Sequence, residues 1–359
     1  MAQGRARTAP RCAAHSMRAR PEDVRVDPRR QTPALEWHPA PREEVGRVDP
    51  WSQMITAAVE TVSPRLVSVA ATDPEESRVA LATGLCLDDR HVVTHARVCS
   101  PKDRITVDFH DGDRLEADLV ASDPLYLLAV LRLRGRCHAA PLELAAPAEL
   151  TPGVLCLALG RALPADTGVA LGVISAAHRT VYRPERFPVD GLLFTDAAVR
   201  IQDIGGPLVT LEARLLGINV APASGGVASA VGGPVVARLV DQILRHGKAT
   251  HPWLGFSGQT DVVSRAMAAL LAVPPLRGVA VSGVVSGGPG DRAGIRVLDL
   301  VVRADGRDVD TVGGIRGVLA DHRLGEAAVL TVLRGGQFCD LEMPVEEIPR
   351  LSKASDAPN

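Results

Sequence analysis

Hydrolytic chemistry at a protein side chain needs a nucleophile, a base to take its proton, a group that orients the base, and N–H donors for the developing oxyanion. In this chain of 359 residues the side chains that can enter such a set are His95, Cys99, Asp203 and Thr210. The stretch that frames them runs from Thr195 to Val209, TDAAVRIQDIGGPLV, and ends in Gly205, Gly206 and Pro207 before the apolar Leu208 and Val209. Directly in front of Gly205 stands Ile204, which has no oxygen to attack with. Cys99 and Thr210 have no visible base, and the charge of Asp203 would oppose an oxyanion beside it.

Composition narrows the classes. Hydrophobic residues at 46% and charged residues at 23% are ordinary for a globular protein. A formal net charge of −2 supplies no basic excess for phosphates, so no nucleic-acid partner is expected. Cys12, Cys86, Cys99, Cys137, Cys156 and Cys339 contain no CxxC pair, so neither a zinc site nor a redox motif is expected, and no cofactor. They read as ordinary small thiols, with Cys86 and Cys99 placed to face each other across a hairpin in an oxidising compartment. No run approaches the length of a spanning helix. The amino terminus is basic but has no apolar core segment before Pro21, so the default expectation is cytoplasmic, with a periplasmic location only if the true start differs, for instance at Met17.

Residues 1–50 are rich in proline and arginine without apolar periodicity and read as disordered. From Trp51, the spacing of Met54, Ile55, Ala58, Val59 and Val62 predicts an amphipathic helix. Short strand-like runs follow: Leu66–Ala70, Val79–Leu87, His91–Thr94, Ile105–Phe109, Leu115–Val120 and Leu127–Leu133, separated by Asp, Gly and Pro turns. A second set, from Val154–Leu159 to Val227–Val231, predicts a second β-barrel of similar size. Pro234 opens a helix that Gly247 closes. Residues 248–252 read as a linker, 253–349 as a small α+β module with helices near Arg265–Ala272 and Val312–Asp321, and 350–359 as a polar tail.

These motifs carry a resemblance. VVTHARV at Val92–Val98, DPLYLLAVLRL at Asp123–Leu133, TDAAVRIQDIGGPLV, and SGGPGDRAGIRVLDLVVRADGRDV at Ser286–Val309 stand in the order found in the HtrA (DegP-like) family, over about four fifths of the chain. The resemblance implies a mainly β fold: a chymotrypsin/trypsin-like double β-barrel over 51–247, followed by a small α+β PDZ domain over 253–349. It also implies that the family's catalytic histidine falls on Arg97, its aspartate on Leu127 and its serine on Ile204. The glycine expected before the nucleophile is Gln202, so the oxyanion loop, with Asp203 and Gly205, is altered too. Arginine is protonated at any working pH and is no general base. His95 lies two residues before Arg97, and a tight turn would redirect its side chain, so it reads as structural.

The expected function is therefore that of a pseudoprotease, with an active serine endopeptidase as the alternative. What remains is peptide binding, because a PDZ domain takes an extended peptide as an added strand and holds its carboxylate on loop N–H groups. By the same resemblance, Trp253, Leu254, Gly255 and Phe256 form that loop, and Leu254 and Phe256 line the pocket for the last side chain. Expected partners are peptides or unfolded C-termini and an active HtrA relative, with a homotrimer implied by the family's aromatic N-terminal contact, for which Trp37 and Trp51 lie in the right region.

Overall fold

Asp49 opens the first helix by accepting hydrogen bonds from the Trp51 and Ser52 N–H groups, at 3.0 and 3.1 Å. Capping of this kind satisfies donors that have no partner inside the helix. In the computed structural model, residues 49–75, 79–137, 140–161, 167–182, 188–271 and 276–349 are described. The expected disordered segment up to residue 48, the Trp37 contact, the alternative start at Met17 and the tail 350–359 lie outside the described residues. Helix α1 spans Pro50–Val62 and buries Ala58 and Val62, as its spacing predicts.

Six strands then close the first barrel: β1 (Leu66–Thr72), β2 (Val79–Cys86), β3 (His91–His95), β4 (Arg104–Asp108), β5 (Arg114–Asp123) and β6 (Leu128–Leu133), in the order β1-β2-β3-β6-β5-β4. Closure removes the edges that an open sheet would leave unpaired. Alternation along each strand sends Val67, Val69, Val92 and Leu131 into the barrel, while Leu66, Leu85, Val93 and Leu128 face the second barrel.

The second barrel comprises β7 (Leu155–Gly160), β8 (Gly168–Tyr182), β9 (Pro188–Thr195), β10 (Pro207–Val209), β11 (Leu215–Ser224) and β12 (Val227–Gly232), in the order β10-β11-β12-β9-β8-β7. Leu157, Leu159, Val209, Ile218 and Val231 meet the residues of the first barrel in one continuous core. Helix α2 (Gly233–His246) adds Val236 and Leu239 to it. Gly247 ends that helix at φ 71°, with its N–H on the Ile243 carbonyl at 2.8 Å.

The C-terminal module contains β13 (Pro252–Trp253), β14 (Phe256–Val262), α3 (Arg265–Leu271), β15 (Arg277–Val284), α4 (Pro289–Arg292), β16 (Leu300–Ala304), β17 (Arg307–Asp308), α5 (Val312–Leu319), β18 (Ala327–Arg334), β19 (Gln337–Pro344) and β20 (Glu346–Glu347). Its main sheet runs β14-β15-β16-β18-β19, with α5 packed over a core of Val279, Val301, Ile315, Leu319 and Leu330.

The stretch read as a linker is tightly held. The Thr250 N–H donates to Gln242 Oε1, Ile348 N–H donates to the His251 carbonyl, and His251 Nε2 meets Asp123 Oδ2 at 2.5 Å. A second junction lies between α5 and β9, where Arg316 Nη1 meets Asp190 Oδ2 at 2.5 Å with side chains only 5% and 2% exposed. Thr180 Oγ1 donates to the other Asp190 oxygen at 2.8 Å. Tyr126 lies between the two junctions, its ring 5.6 Å from that of His251 and its phenol against the Asp190 backbone.

Removing one partner of a buried ion pair leaves an uncompensated charge. Arg316→Met is therefore expected to lower unfolding stability by about 3 kcal/mol or more, while Asp190→Leu added to it restores most of the loss, as read from guanidinium midpoints. Burial, reinforced by the nearby Asp190, pushes the Tyr126 phenol up to about 12 from an ordinary 10. Its folded value lies above its unfolded one, so the stabilisation is complete below pH 10 and is lost as pH rises toward 12. Denaturation midpoints measured across that window should fall, and the fall should be shallower in Tyr126→Phe.

Candidate functional site

Where the two barrels face each other, β3 ends in His95 and a 3-10 turn, Ala96–Val98, follows. Thr94 Oγ1 is buried and donates to the Thr83 carbonyl at 2.7 Å, which fixes the strand end. His95 is also buried. Its Nδ1 accepts the Arg97 N–H at 3.3 Å and its Nε2 lies 3.2 Å from the Val220 carbonyl. A carbonyl only accepts, so Nε2 carries the hydrogen and the ring is spent on bridging β3 to β11. The structural reading of His95 agrees with this geometry, and Arg97 projects into solvent one turn on.

Leu127 sits in the turn between β5 and β6. Asp123 shapes that turn by accepting both the Leu125 and Tyr126 N–H groups at 2.8 Å. Leu127 adopts φ 59°, an uncommon conformation for a leucine, and its carbonyl accepts the Ala96 N–H at 2.8 Å. That bond brings position 127 against the turn that carries position 97.

The third position comes from the second barrel. A 3-10 turn, Ile201–Asp203, precedes Ile204. Arg200 grips Asp203 through its backbone N–H, Nε and Nη2 at 2.9, 2.8 and 2.9 Å, so the buried carboxylate is neutralised and its lone pairs are occupied. Gly160 and Gly168 leave room for this pair: a Cβ at Gly160 would lie 2.0 Å from Asp203 Oδ1, and one at Gly168 1.8 Å from Arg200 Nη2.

Ile204 is extended and half-buried, with its carbonyl on the Thr83 N–H at 3.2 Å. Gly205 follows at φ 84°. A Cβ there would be 2.3 Å from the Thr83 carbonyl and 2.8 Å from the His95 nitrogen, so only glycine lets this loop reach the first barrel. Its N–H donates to the Asn219 carbonyl at 2.7 Å, and the Gly206 N–H donates to the Asp203 carbonyl at 3.1 Å. The turn is therefore well formed, and its glycine donors are used within the fold.

Positions 97 and 127 thus lie on adjoining turns of the first barrel and position 204 on a second-barrel loop that reaches Thr83, carrying a guanidinium and two aliphatic side chains. None of these accepts a proton at neutral pH. Cys99 is buried in the first-barrel core and its thiol is pushed up to about 12 by burial, and Thr210 is buried with its hydroxyl accepting the Glu212 and Arg214 N–H groups. The expected meeting of Cys86 with Cys99 is corrected: both are buried and unbridged, and the Cys86 thiol contacts Cys137 instead.

A second candidate surface lies on the C-terminal module. Gly255 turns at φ 68°, and a Cβ there would meet Pro289 at 2.7 Å. Leu254 and Phe256 are packed into the module's core rather than lining an open pocket, because β15 and α4 cover them. Half-buried Trp253 pairs with Glu346 in the short β13–β20 ladder. The Leu254 and Gly255 carbonyls accept from Gly290 and Val285, whereas neither residue's N–H reaches a backbone carbonyl among the described residues.

Among the described residues β14 pairs only with β15, which leaves its other edge unpaired. A cavity of about 720 Å³ lies along that edge, walled by Gly258–Thr260, by Thr311 and Val312 at the start of α5, and by Ala177–Thr180 of β8. Its polar strand edge was not legible, because Ser257-Gly258-Gln259-Thr260 reads as a loop.

Comparison with known proteins finds the same two kinds of domain in the same order. The trypsin-like peptidase domain model matches residues 82–218 and the PDZ domain model residues 215–345. A probable periplasmic serine endoprotease DegP-like of Chlamydia muridarum is 28% identical over 282 residues, covering 77% of this chain and 56% of that protein. Its namesake in Halomonas elongata is 29% identical over 286 residues, covering 78% and 59%. The chain spans a little over half the length of these curated relatives.

Among solved structures, the HtrA-type protease AlgW with tripeptide superposes with a TM-score of 0.63 at 26% identity, over 82% of this chain and 98% of that one. The serine endoprotease from Yersinia pestis matches with a TM-score of 0.56 at 24% identity, over 84% of this chain and all of that one, 100%. The relatives' names place them in the periplasm, which overturns the cytoplasmic default read from the amino terminus. With four motifs in order, both domain models matched and the double barrel followed by its sheet, the chain belongs to the HtrA (DegP-like) family.

Proposed function

We propose that this protein is a non-catalytic, peptide-binding HtrA homologue, acting as a scaffold or regulator through its PDZ domain in the periplasm, where its relatives are named. The observation that carries this reading is Ile204, held by an otherwise intact turn at the position expected for the nucleophile, with Arg97 and Leu127 at the positions expected for the base and its orienting acid. Loss of nucleophile and base together leaves only what binding and fixed dipoles supply. Loss of a single oxyanion donor already costs about 3 kcal/mol of transition-state stabilisation.

Peptide binding rests on the open β14 edge and on the Leu254 and Gly255 N–H groups at its start. The AlgW structures contain a tripeptide, and an extended peptide beside β14 is the corresponding use here. Unfolded C-termini ending in an apolar residue are the proposed ligands, and an intact HtrA protease is the proposed partner.

The alternative, an active serine endopeptidase, is favoured by the names of the relatives. It requires a displaced nucleophile, and the candidates for that role are already engaged: Asp203 by Arg200, Thr210 by its own turn, His95 by β11.

Purified protein is expected to leave unfolded casein intact. Turnover that disappears on His95→Ala or Asp203→Asn would overturn the pseudoprotease reading. Titrating a library of apolar C-terminal peptides into the variant carrying Trp37→Phe and Trp51→Phe should give saturable quenching or enhancement of Trp253 emission, with micromolar midpoints. An absence of any saturable response across the library would count against binding.

A further inference from the structure

Segment 133–137, which leaves β6, is stitched to the loop between β2 and β3. The Leu133 N–H donates to the Arg90 carbonyl at 2.8 Å, and the Cys137 N–H to the Asp89 carbonyl at 2.9 Å. Arg136 pairs with Asp89 at 3.2 Å, and Cys137 Sγ donates to the Asp88 carbonyl at 3.2 Å. Cys86 ends β2 two residues before Asp88, with its ladder partner Val92 pointing into the same apolar core. The Cys86 and Cys137 thiols hydrogen-bond to each other within that core. Two thiols in contact within one core, on segments whose backbones these bonds hold together, are placed to be joined.

We infer that Cys86 and Cys137 are a disulfide-forming pair that locks the first barrel by tying the end of β2 to the segment leaving β6. The inference is independent of whether the protein cleaves or binds peptides, and rests on the periplasmic reading only for the source of the oxidant. The oxidant is a disulfide of the thiol–disulfide oxidoreductase class. One cysteine thiolate attacks it and releases one of its sulfurs as a thiol. The second thiolate then attacks the mixed disulfide and releases the other. In sum, two protein thiols give up two protons and two electrons, one Sγ–Sγ bond forms, and the oxidant's disulfide is reduced to two thiols.

The timing follows from burial. Both thiols lie inside the closed barrel, and their mutual hydrogen bond, together with burial, pushes the Cys86 thiol far up, so the reactive thiolate is scarce once the barrel is shut. Bridging therefore belongs to the folding step in which the segment trailing β6 docks on the loop between β2 and β3, while the thiols still meet solvent. The same burial protects the reduced pair from casual oxidation. Once formed, the bond closes a long loop that contains β3 to β6, which constrains the unfolded chain strongly.

The test is to refold the full chain from denaturant in a buffer of oxidised and reduced glutathione, alkylate the remaining thiols, digest, and map the peptides by mass spectrometry. The expected result is a Cys86–Cys137 linked peptide lighter by two hydrogens than its reduced components. The thermal midpoint of the oxidised protein should also be about 5 °C above that of the reduced protein, a difference absent in Cys137→Ala. Recovery of both cysteines alkylated, as a glutathione adduct, or linked to any other cysteine would overturn the inference. The peptide map of the unaltered chain decides the matter even if Cys137→Ala fails to fold.

Discussion

Arg316 and Asp190 meet where water hardly reaches, one on the PDZ helix α5 and the other on β9 of the second barrel. Neither charge is tolerable there without the other, so the contact has a narrow set of allowed geometries. It places α5 against the barrel, and with it the wall of the cavity along β14. His251 and Asp123 make a second pairing at the other end of the junction, with Tyr126 packed between the two. Of the residues at this junction, Asp123 and Tyr126 belong to the same turn that carries Leu127. The junction and the candidate site region share the support of Asp123.

On the proposed reading, this sharing gives a physical reason for the scaffold to be kept whatever its chemistry. Asp123 accepts two N–H groups of the Leu127 turn and also holds His251. The Thr83 N–H and hydroxyl hold the 204 loop across the barrel interface by donating to the Ile204 and Gln202 carbonyls, while Asn219 holds it from within the second barrel. Gly160 and Gly168 even accommodate an Arg200–Asp203 pair that fills space beside the loop. Ile204, Arg97 and Leu127 sit in a frame whose bonds are satisfied, so substitution at those positions costs the fold little.

Much of the architecture was legible from local pattern. Alternating apolar residues placed most barrel strands, and Pro234 with Gly247 bounded α2 on either side. The Gly205-Gly206-Pro207 turn and Asp123 were readable because each acts on its near neighbours in sequence. What escaped was either polar or long-range. β14 begins with Phe256 and then runs through exposed polar residues, so it lacks the alternation that marks a half-buried strand. β8 runs past its expected end, with register shifts between Ile174 and Val181 that break the period of two. His251 read as linker, and nothing local marked Arg316, because their partners Asp123 and Asp190 lie far away along the chain. Leu254 and Phe256 were placed correctly beside Gly255, yet the fold turns their side chains into the core. No spacing rule ties Cys86 to Cys137, since only closure of the barrel brings them together.

The central claim is that the chain engages a peptide without cutting it. It is tested most directly by mixing the full-length protein with a labelled peptide ending in an apolar residue, isolating the complex, and measuring the mass of the peptide over time. We expect the peptide to be retained and recovered at its original mass after prolonged incubation. Accumulation of shortened products at many equivalents per protein, abolished by a substitution in this chain, would contradict it.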